Sequence, residues 1–155
     1  MTPRVNPYAA APALTKLLID YGTQVAKAAA GLEPKLLELV KIRASQINGC
    51  AMCLLMHTRE ARKKGESEER LYLLDAWRES PFFSERERAA LAWTEALTRV
   101  AQTRAPDEDY RAMAQHFTQE EQVKVTLLIT AINSFNQLNV GFQLDPSLLD
   151  QLLAA

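Results

Sequence analysis

Both cysteines of the chain and one of its two histidines fall in a single short run, Cys50-Ala51-Met52-Cys53-Leu54-Leu55-Met56-His57. On a helix, where successive residues turn by about 100°, Cys50, Cys53 and His57 lie within about 60° of one another. Two thiols and an imidazole on one face can do redox chemistry. A Cys-x-x-Cys pair closes into a disulfide, and the unpaired N–H groups and dipole of a helix N-terminus acidify a thiol placed there. The imidazole, one turn beyond Cys53, can take up or return a proton. The plainer reading is two buried cysteines acting as small hydrophobes, and the histidine on the same face weighs against it. A structural zinc site normally needs four ligands. The only other histidine, His116, is distant in sequence among polar neighbours and reads as a surface or capping residue. Neither a metal nor a bound cofactor is expected.

Composition limits the alternatives. The chain has 155 residues, of which 48% are apolar, enough for one domain with a hydrophobic core. Its net charge of −1 argues against a broad nucleic-acid surface or a polybasic membrane anchor. No run approaches the roughly 18 apolar residues that span a bilayer. The N-terminus lacks a basic segment followed by an apolar stretch, so the cytoplasm is the expected compartment. In that compartment, two cysteines three apart suggest redox or metal chemistry rather than a secreted disulfide scaffold.

The elements that must position these residues read as helices. With five glycines and no Asn-Gly turn between alternating runs, the chain is expected to be all-α, a compact fold of about seven helices. A first helix is expected from about Ala9 to Ala30, stopped by Gly31. A second opens near Glu33, with Pro34 in its first turn and Leu37, Val40, Ala44 and Ile47 at helical spacing. Asn48-Gly49 breaks it, and the Cys50 helix runs to about Lys64 and is closed by Gly65. Ser67 caps a short helix that carries Leu71, Leu74 and Trp77, and Ser80-Pro81 ends it. Ser84-x-x-Glu87 is a capping box opening a helix whose stripe is Ala89, Trp93, Ala96 and Val100. Pro106-Asp107 starts the next helix. Thr118-x-x-Glu121 is a second capping box, before a helix apolar nearly all round through Val125, Leu127, Leu128, Ile129 and Ile132, expected to be buried. Residues 1–8 read as a flexible arm and residues 9–155 as one domain.

Glu38 is a further candidate. Spacing alone makes it a solvated helix charge, with Lys41 and Arg43 as solvated or paired charges. The run Glu38-Leu39-Val40-Lys41-Ile42-Arg43-Ala44-Ser45-Gln46-Ile47-Asn48-Gly49-Cys50, continuing to His57 and Ala61-Arg62, resembles the alkylhydroperoxidase D-like family of the carboxymuconolactone decarboxylase superfamily. That family's motif has a glutamate twelve residues before Cys-x-x-Cys and a histidine four residues after the second cysteine. Glu38, Cys50, Cys53 and His57 match all four positions. The resemblance extends through Ala76-Trp77-Arg78 and the segment from Phe82 to Leu91, and more loosely to Ile132-Asn133-Ser134-Phe135-Asn136. Two departures stand out: Met52 where some members have histidine, and Gln137 where many have arginine. Asn133 and Asn136, one turn apart, read as helix-packing hydrogen-bonders.

The resemblance implies an alkylhydroperoxidase D-like helical fold that reduces alkyl hydroperoxides through a dithiol cycle. Cys53, nearer His57 in sequence, is the expected attacking thiol, and Cys50 the thiol that condenses with its sulfenic acid. His57 is expected to take the proton and Glu38 to orient the imidazole. An external dithiol must reopen the disulfide; in the family this donor can be a lipoylated protein. The resemblance also implies a homo-oligomer, often a hexamer built from dimers. The apolar residues Phe135, Leu138, Val140, Phe142 and Leu144 suggest a C-terminal interface. Two other readings stay open: a carboxymuconolactone decarboxylase-like lyase, against which the intact cysteine pair argues, and a non-enzymatic redox-responsive interaction module.

Overall fold

Prolines and capping residues decide where the helices begin. The computed structural model describes residues 4–154, and among these it has ten α-helices, two short 3-10 turns and no strand. In chain order the helices are α1 (Pro7–Ala10), α2 (Pro12–Ala28), α3 (Pro34–Asn48), α4 (Ala51–Lys63), α5 (Glu68–Tyr72), α6 (Glu85–Thr98), α7 (Val100–Thr103), α8 (Asp107–His116), α9 (Gln119–Gly141) and α10 (Leu149–Ala154). The all-α class is as expected. The helices outnumber the expected seven because two expected helices are divided and α10 is added. Pro12 forces Ala11 out of the helical region, to φ −142° and ψ 61°, and this separates α1 from α2. Arg99, at φ −107° and ψ 32°, separates α6 from α7, so Val100 is half exposed rather than on the buried stripe with Ala89 and Ala96. Both capping boxes form, each with its two reciprocal bonds, at Ser84/Glu87 and Thr118/Glu121.

The central helix is α3, which packs against α4, α6 and α9. It buries Leu36, Leu39, Val40 and Ile42, and with them the polar Glu38, Arg43 and Ser45. A buried charge needs partners. Arg43 Nε donates to Glu95 Oε1 at 2.8 Å, and Glu95 also accepts from Trp77 Nε1 at 2.8 Å and Arg78 Nη1 at 2.6 Å. Arg43 is thus a paired charge, and so is Lys41, whose Nζ lies 2.6 Å from Glu38 Oε1.

Helix α9 is amphipathic rather than enclosed. Val125, Leu128, Ile129, Ile132, Asn136 and Asn139 form its buried stripe, whereas Leu127 and Val123 face outward. The expectation for Leu127 fails because a single turn of the helix carries apolar side chains to both faces, and α2 and α3 cover only one. The C-terminal apolar residues divide similarly. Phe135 and Leu144 pack on a cluster of Ala44, Cys50, Met52, Cys53, Ile132 and Leu149, while Val140 is exposed.

The segment before α1 lies on the end of α9. Arg4 Nη1 donates to the Gly141 carbonyl at 2.7 Å, and Pro7 is buried. Residues 1–3 of the expected arm lie outside the described residues. Among the described residues, no helix is long and apolar enough to cross a membrane.

Candidate active site

The dithiol sits on the joint between α3 and α4. Gly49 takes a left-handed conformation, φ 65° and ψ 33°, which costs glycine nothing. Its N–H donates to the Gln46 carbonyl at 3.2 Å, and the Cys50 N–H to the Ser45 carbonyl at 3.0 Å, closing α3 in a Schellman motif. Cys50 then serves the next helix as its N-cap: its Sγ accepts the Cys53 N–H at 3.3 Å. One residue thus satisfies the end of α3 with its backbone and the start of α4 with its thiol. The sequence placed Cys50 inside the helix. It lies one position outside, with Cys53 in the first turn.

Both cysteines are free thiols and both are buried. They titrate as a pair. The Cys53 thiol beside it lowers Cys50 to about 7 against the effect of burial, helped by the Cys53 backbone N–H and the Asn136 and Asn139 amides. The same interaction pushes Cys53 up, as do burial and the charge on Cys50. Cys50 is therefore the more acidic thiol of the pair, and Cys53, the attacking thiol expected from its nearness to His57, the less acidic.

His57 is buried and its Nδ1 lies 3.0 Å from Glu38 Oε2. Glu38 is fully enclosed, and its Oε1 accepts from Lys41 Nζ at 2.6 Å and Lys64 Nζ at 2.5 Å. Burial acts to raise the Glu38 carboxyl, but the bond from His57 and the two lysines outweigh it and hold it at about 2. An ionised Glu38 accepts only, so Nδ1 carries the proton and Nε2 keeps its lone pair. Burial lowers the imidazole pKa, opposed by Glu38, so His57 is neutral near pH 7 and available as a base.

The four expected residues form two pairs at neighbouring places on α3, its joint and α4: Glu38 with His57, and Cys50 with Cys53. Others join them. Asn48 Nδ2 donates to Asn133 Oδ1 at 2.7 Å and to Asn136 Oδ1 at 3.0 Å, and Asn136 Nδ2 donates to Ser45 Oγ at 3.0 Å. Asn133 and Asn136 are thus packing hydrogen-bonders, tying α9 to the joint. Asn139, one turn further on, was not anticipated: its Nδ2 donates to Cys53 Sγ at 3.3 Å, and its Oδ1 accepts from the Tyr8 hydroxyl at 3.0 Å. The three-residue spacing of Asn133, Asn136 and Asn139 was the available signal. Lys64 carried none, being 26 residues from Glu38. A cavity of about 460 Å³ opens at the α3–α4 joint, lined by Gly49, Ala51, Met52, Asn139 and Leu144 among others. Among the described residues, no three His, Cys, Asp or Glu side chains gather as they would around a metal ion. His116 ends α8, and its carbonyl accepts from Arg86.

The model of the carboxymuconolactone decarboxylase family matches residues 12–96. The chain is 41% identical over 141 residues to the uncharacterized protein YdfG of Bacillus subtilis, across 91% of this chain and 95% of that one. It is 30% identical over 108 residues to the uncharacterized protein YnjA of Escherichia coli, across 70% of this chain and 59% of that one. The crystal structure of ATU0492 from Agrobacterium tumefaciens superposes with a TM-score of 0.89 at 42% identity, covering 93% of this chain and 97% of the other. ATU0492 is itself of unknown function and has been suggested to be the antioxidant defence protein AhpD. The debrominase Bmp8 shares the fold, with a TM-score of 0.71 at 18% identity over 80% of this chain and 68% of its own.

Proposed function

The chain belongs to the carboxymuconolactone decarboxylase family, in its alkylhydroperoxidase D-like branch, and from that premise we propose that it is a thiol-dependent peroxidase and disulfide reductase acting on alkyl hydroperoxides. The observation that carries the reading is the Glu38–His57 bond on the same two helices that hold the dithiol. A neutral imidazole fixed in one tautomer, one helical turn along α4 from Cys53 of a thiol pair whose first proton leaves near neutrality, makes a general base with its nucleophile.

The cycle runs as follows. His57 takes one proton as the dithiol ionises, and the proton remaining on the pair passes to Cys50, leaving Cys53 as thiolate. Cys53 Sγ attacks the terminal peroxide oxygen; the O–O bond breaks, Cys53 becomes a sulfenic acid, and the alkoxide takes the proton from His57 and leaves as the alcohol. Cys50 then displaces water from the sulfenic sulfur to form the disulfide. Two thiols are oxidised and one peroxide is reduced. An external dithiol, of which a lipoylated protein is the family's example, returns the pair to thiols. The reducing cytoplasm suits the cycle. Cys53 attacks because the more basic sulfur is the better nucleophile once deprotonated, while the more acidic Cys50 suits the resolving step.

Pre-reduced protein is expected to consume one equivalent of cumene hydroperoxide and to yield a Cys50–Cys53 disulfide by mass spectrometry. Cys53→Ser is expected to abolish consumption, and Cys50→Ser to allow one turnover and trap a sulfenic acid on Cys53. If Cys53→Ser keeps the first turnover and Cys50→Ser loses it, the roles are reversed. No consumption by the unaltered protein, with turnover of a carboxymuconolactone instead, would transfer the site to the lyase reading.

A further inference from the structure

Cys53 is a poor place for a charge. It has no exposed surface, and its neighbour Cys50 holds the backbone N–H of the helix cap. A thiolate forming there needs a donor of its own. The amides of Asn136 and Asn139 both act on it, and the one whose Nδ2 donates to Cys53 Sγ, at 3.3 Å, is Asn139. An amide carries a donor and an acceptor on one head, and the opposite orientation would turn Oδ1 toward the sulfur and repel a thiolate.

The Tyr8 hydroxyl lies on the other side of the amide and supports the first of these orientations. It donates to Asn139 Oδ1 at 3.0 Å, which leaves Nδ2 facing Cys53. Burial first, then the charges of Cys53 and Cys50, raise the Tyr8 phenol to about 12, so it remains a donor throughout the neutral range. The rest of the chain fixes both residues. The Asn139 carbonyl accepts the Leu144 N–H at 3.0 Å in the turn that ends α9. Asn6 caps α1 by accepting the Tyr8 N–H at 3.0 Å, and Arg4 holds the Gly141 carbonyl. A hydrogen-bonded path thus runs from α1 through α9 to the thiol in the first turn of α4.

We propose that Asn139 is a catalytic residue of the dithiol site, the donor that lets Cys53 carry negative charge, and that Tyr8 is the positioning residue that aims its amide. The inference deepens the dithiol reading and rests on it. The donor serves both halves of the cycle. In the attack it stabilises the thiolate that forms on Cys53. In the reductive half, a thiolate of the external dithiol attacks Cys50 Sγ, a bond forms between them, and the Cys50–Cys53 bond breaks with its electron pair leaving on Cys53. The Asn139 N–H stabilises that leaving thiolate until it is protonated from solvent. The donor's second thiol then displaces Cys50, which leaves as thiolate, and the donor departs as its disulfide. The N-terminal segment is therefore part of the active site.

The test reads the Cys53 thiolate without peroxide. In Cys50→Ser protein, serine keeps an N-cap oxygen and Cys53 is the only thiol. The rate of alkylation by iodoacetamide against pH gives its pKa. The titratable group that faces it is Tyr8 on α1, and His57, paired with Glu38 and through it with Lys41 and Lys64, lies one turn further along α4. In this background, Asn139→Leu is expected to slow alkylation at neutral pH about tenfold, one pKa unit. Asn139→Asp, an acceptor only, is expected to slow it further. Tyr8→Phe, which removes one oxygen, is expected to slow it about threefold as the amide loses its fixed orientation. Tyr8→Phe combined with Asn139→Leu is expected to be no slower than Asn139→Leu alone, an absence of additivity that a merely structural tyrosine would not give. An unchanged profile in folded Asn139→Leu, or additive effects in the double variant, overturns the proposal. Should Asn139→Leu fail to fold, an unchanged profile in Tyr8→Phe overturns it. Because the probe is not a peroxide, a protein that consumes no hydroperoxide but shows these shifts loses the peroxidase reading alone. One that consumes hydroperoxide with an unshifted profile loses this inference alone.

Discussion

Glu38 divides its carboxylate between two tasks: Oε2 fixes the His57 tautomer, and Oε1 neutralises Lys41 and Lys64. Both halves of this cluster make the fold acid-sensitive. The His57 pKa lies below its unfolded value of 6.5, so the stability gained from a neutral imidazole is present above pH 6.5 and is lost as pH falls toward the lowered value. The Glu38 pKa is depressed from 4.5 to about 2, so its contribution, on the order of 3 kcal/mol, is present above pH 4.5 and is lost as pH falls through 2. Urea midpoints against pH are expected to decline in these two windows, and Glu38→Gln to flatten the lower one. An unaltered decline in that variant would place the acid sensitivity elsewhere. His57→Gln is expected to slow peroxide consumption about a hundredfold by removing the base, read by initial rates with the fold checked by circular dichroism. Cys50, Cys53 and His57 were legible as candidates because one short run carries them at helical spacing, whereas Glu38, a solvated charge on spacing alone, was singled out by the family resemblance. Tyr8, Lys64 and Asn139 were not, because their meeting depends on how α1, α4 and α9 pack.

At the scale of elements, the α3–α4 joint decides whether the site exists. The left-handed Gly49 lets α3 end and Cys50 begin α4 with no intervening loop. Gly49→Ala has room for its Cβ but places it in a left-handed conformation, and is expected to cost about 1–2 kcal/mol in urea unfolding. Relaxation of the joint would also withdraw the Cys53 N–H from Cys50, so the same variant is expected to raise the first thiol pKa. An equal pKa with the lower stability would mean that the cap is rebuilt around alanine. The helix starts at Pro34, Ser67, Ser84 and Thr118 were legible because each signal is local. The break at Ala11 was signalled by Pro12 but outweighed by the alanine-rich run around it. The turn at Arg99 had no proline or glycine to announce it. Which face of α9 is covered depends on α2 and α3, and periodicity in an almost uniformly apolar segment does not encode that choice.

For the whole molecule, the question is what covers the apolar side chains left on the surface. Phe135 and Leu144 are used within the chain, against the cluster that holds the thiols, which weakens the case for the C-terminal segment as an interface. Helix α2 makes a stronger case. Leu14 and Leu17 stand 69% and 67% exposed, Ile19 is also exposed, and the inner face of the helix is packed on α9, where Val123 and Leu127 are exposed in turn. Single exposed leucines are ordinary, but several apolar side chains on one helix form a patch of the kind that protein partners cover. With a net charge of −1, little repulsion opposes self-association. The expected partner is a further copy of the chain, in a closed assembly for which the family resemblance favours a hexamer. Light scattering at micromolar concentration is expected to give a particle several times the 17.4 kDa chain mass. Leu14→Glu with Leu17→Glu would place two like charges in each copy of a buried contact, and is expected to yield monomers with unchanged helicity. An unaltered protein that stays at 17.4 kDa would remove the assembly altogether, and a double variant that remains oligomeric would move the interface off α2.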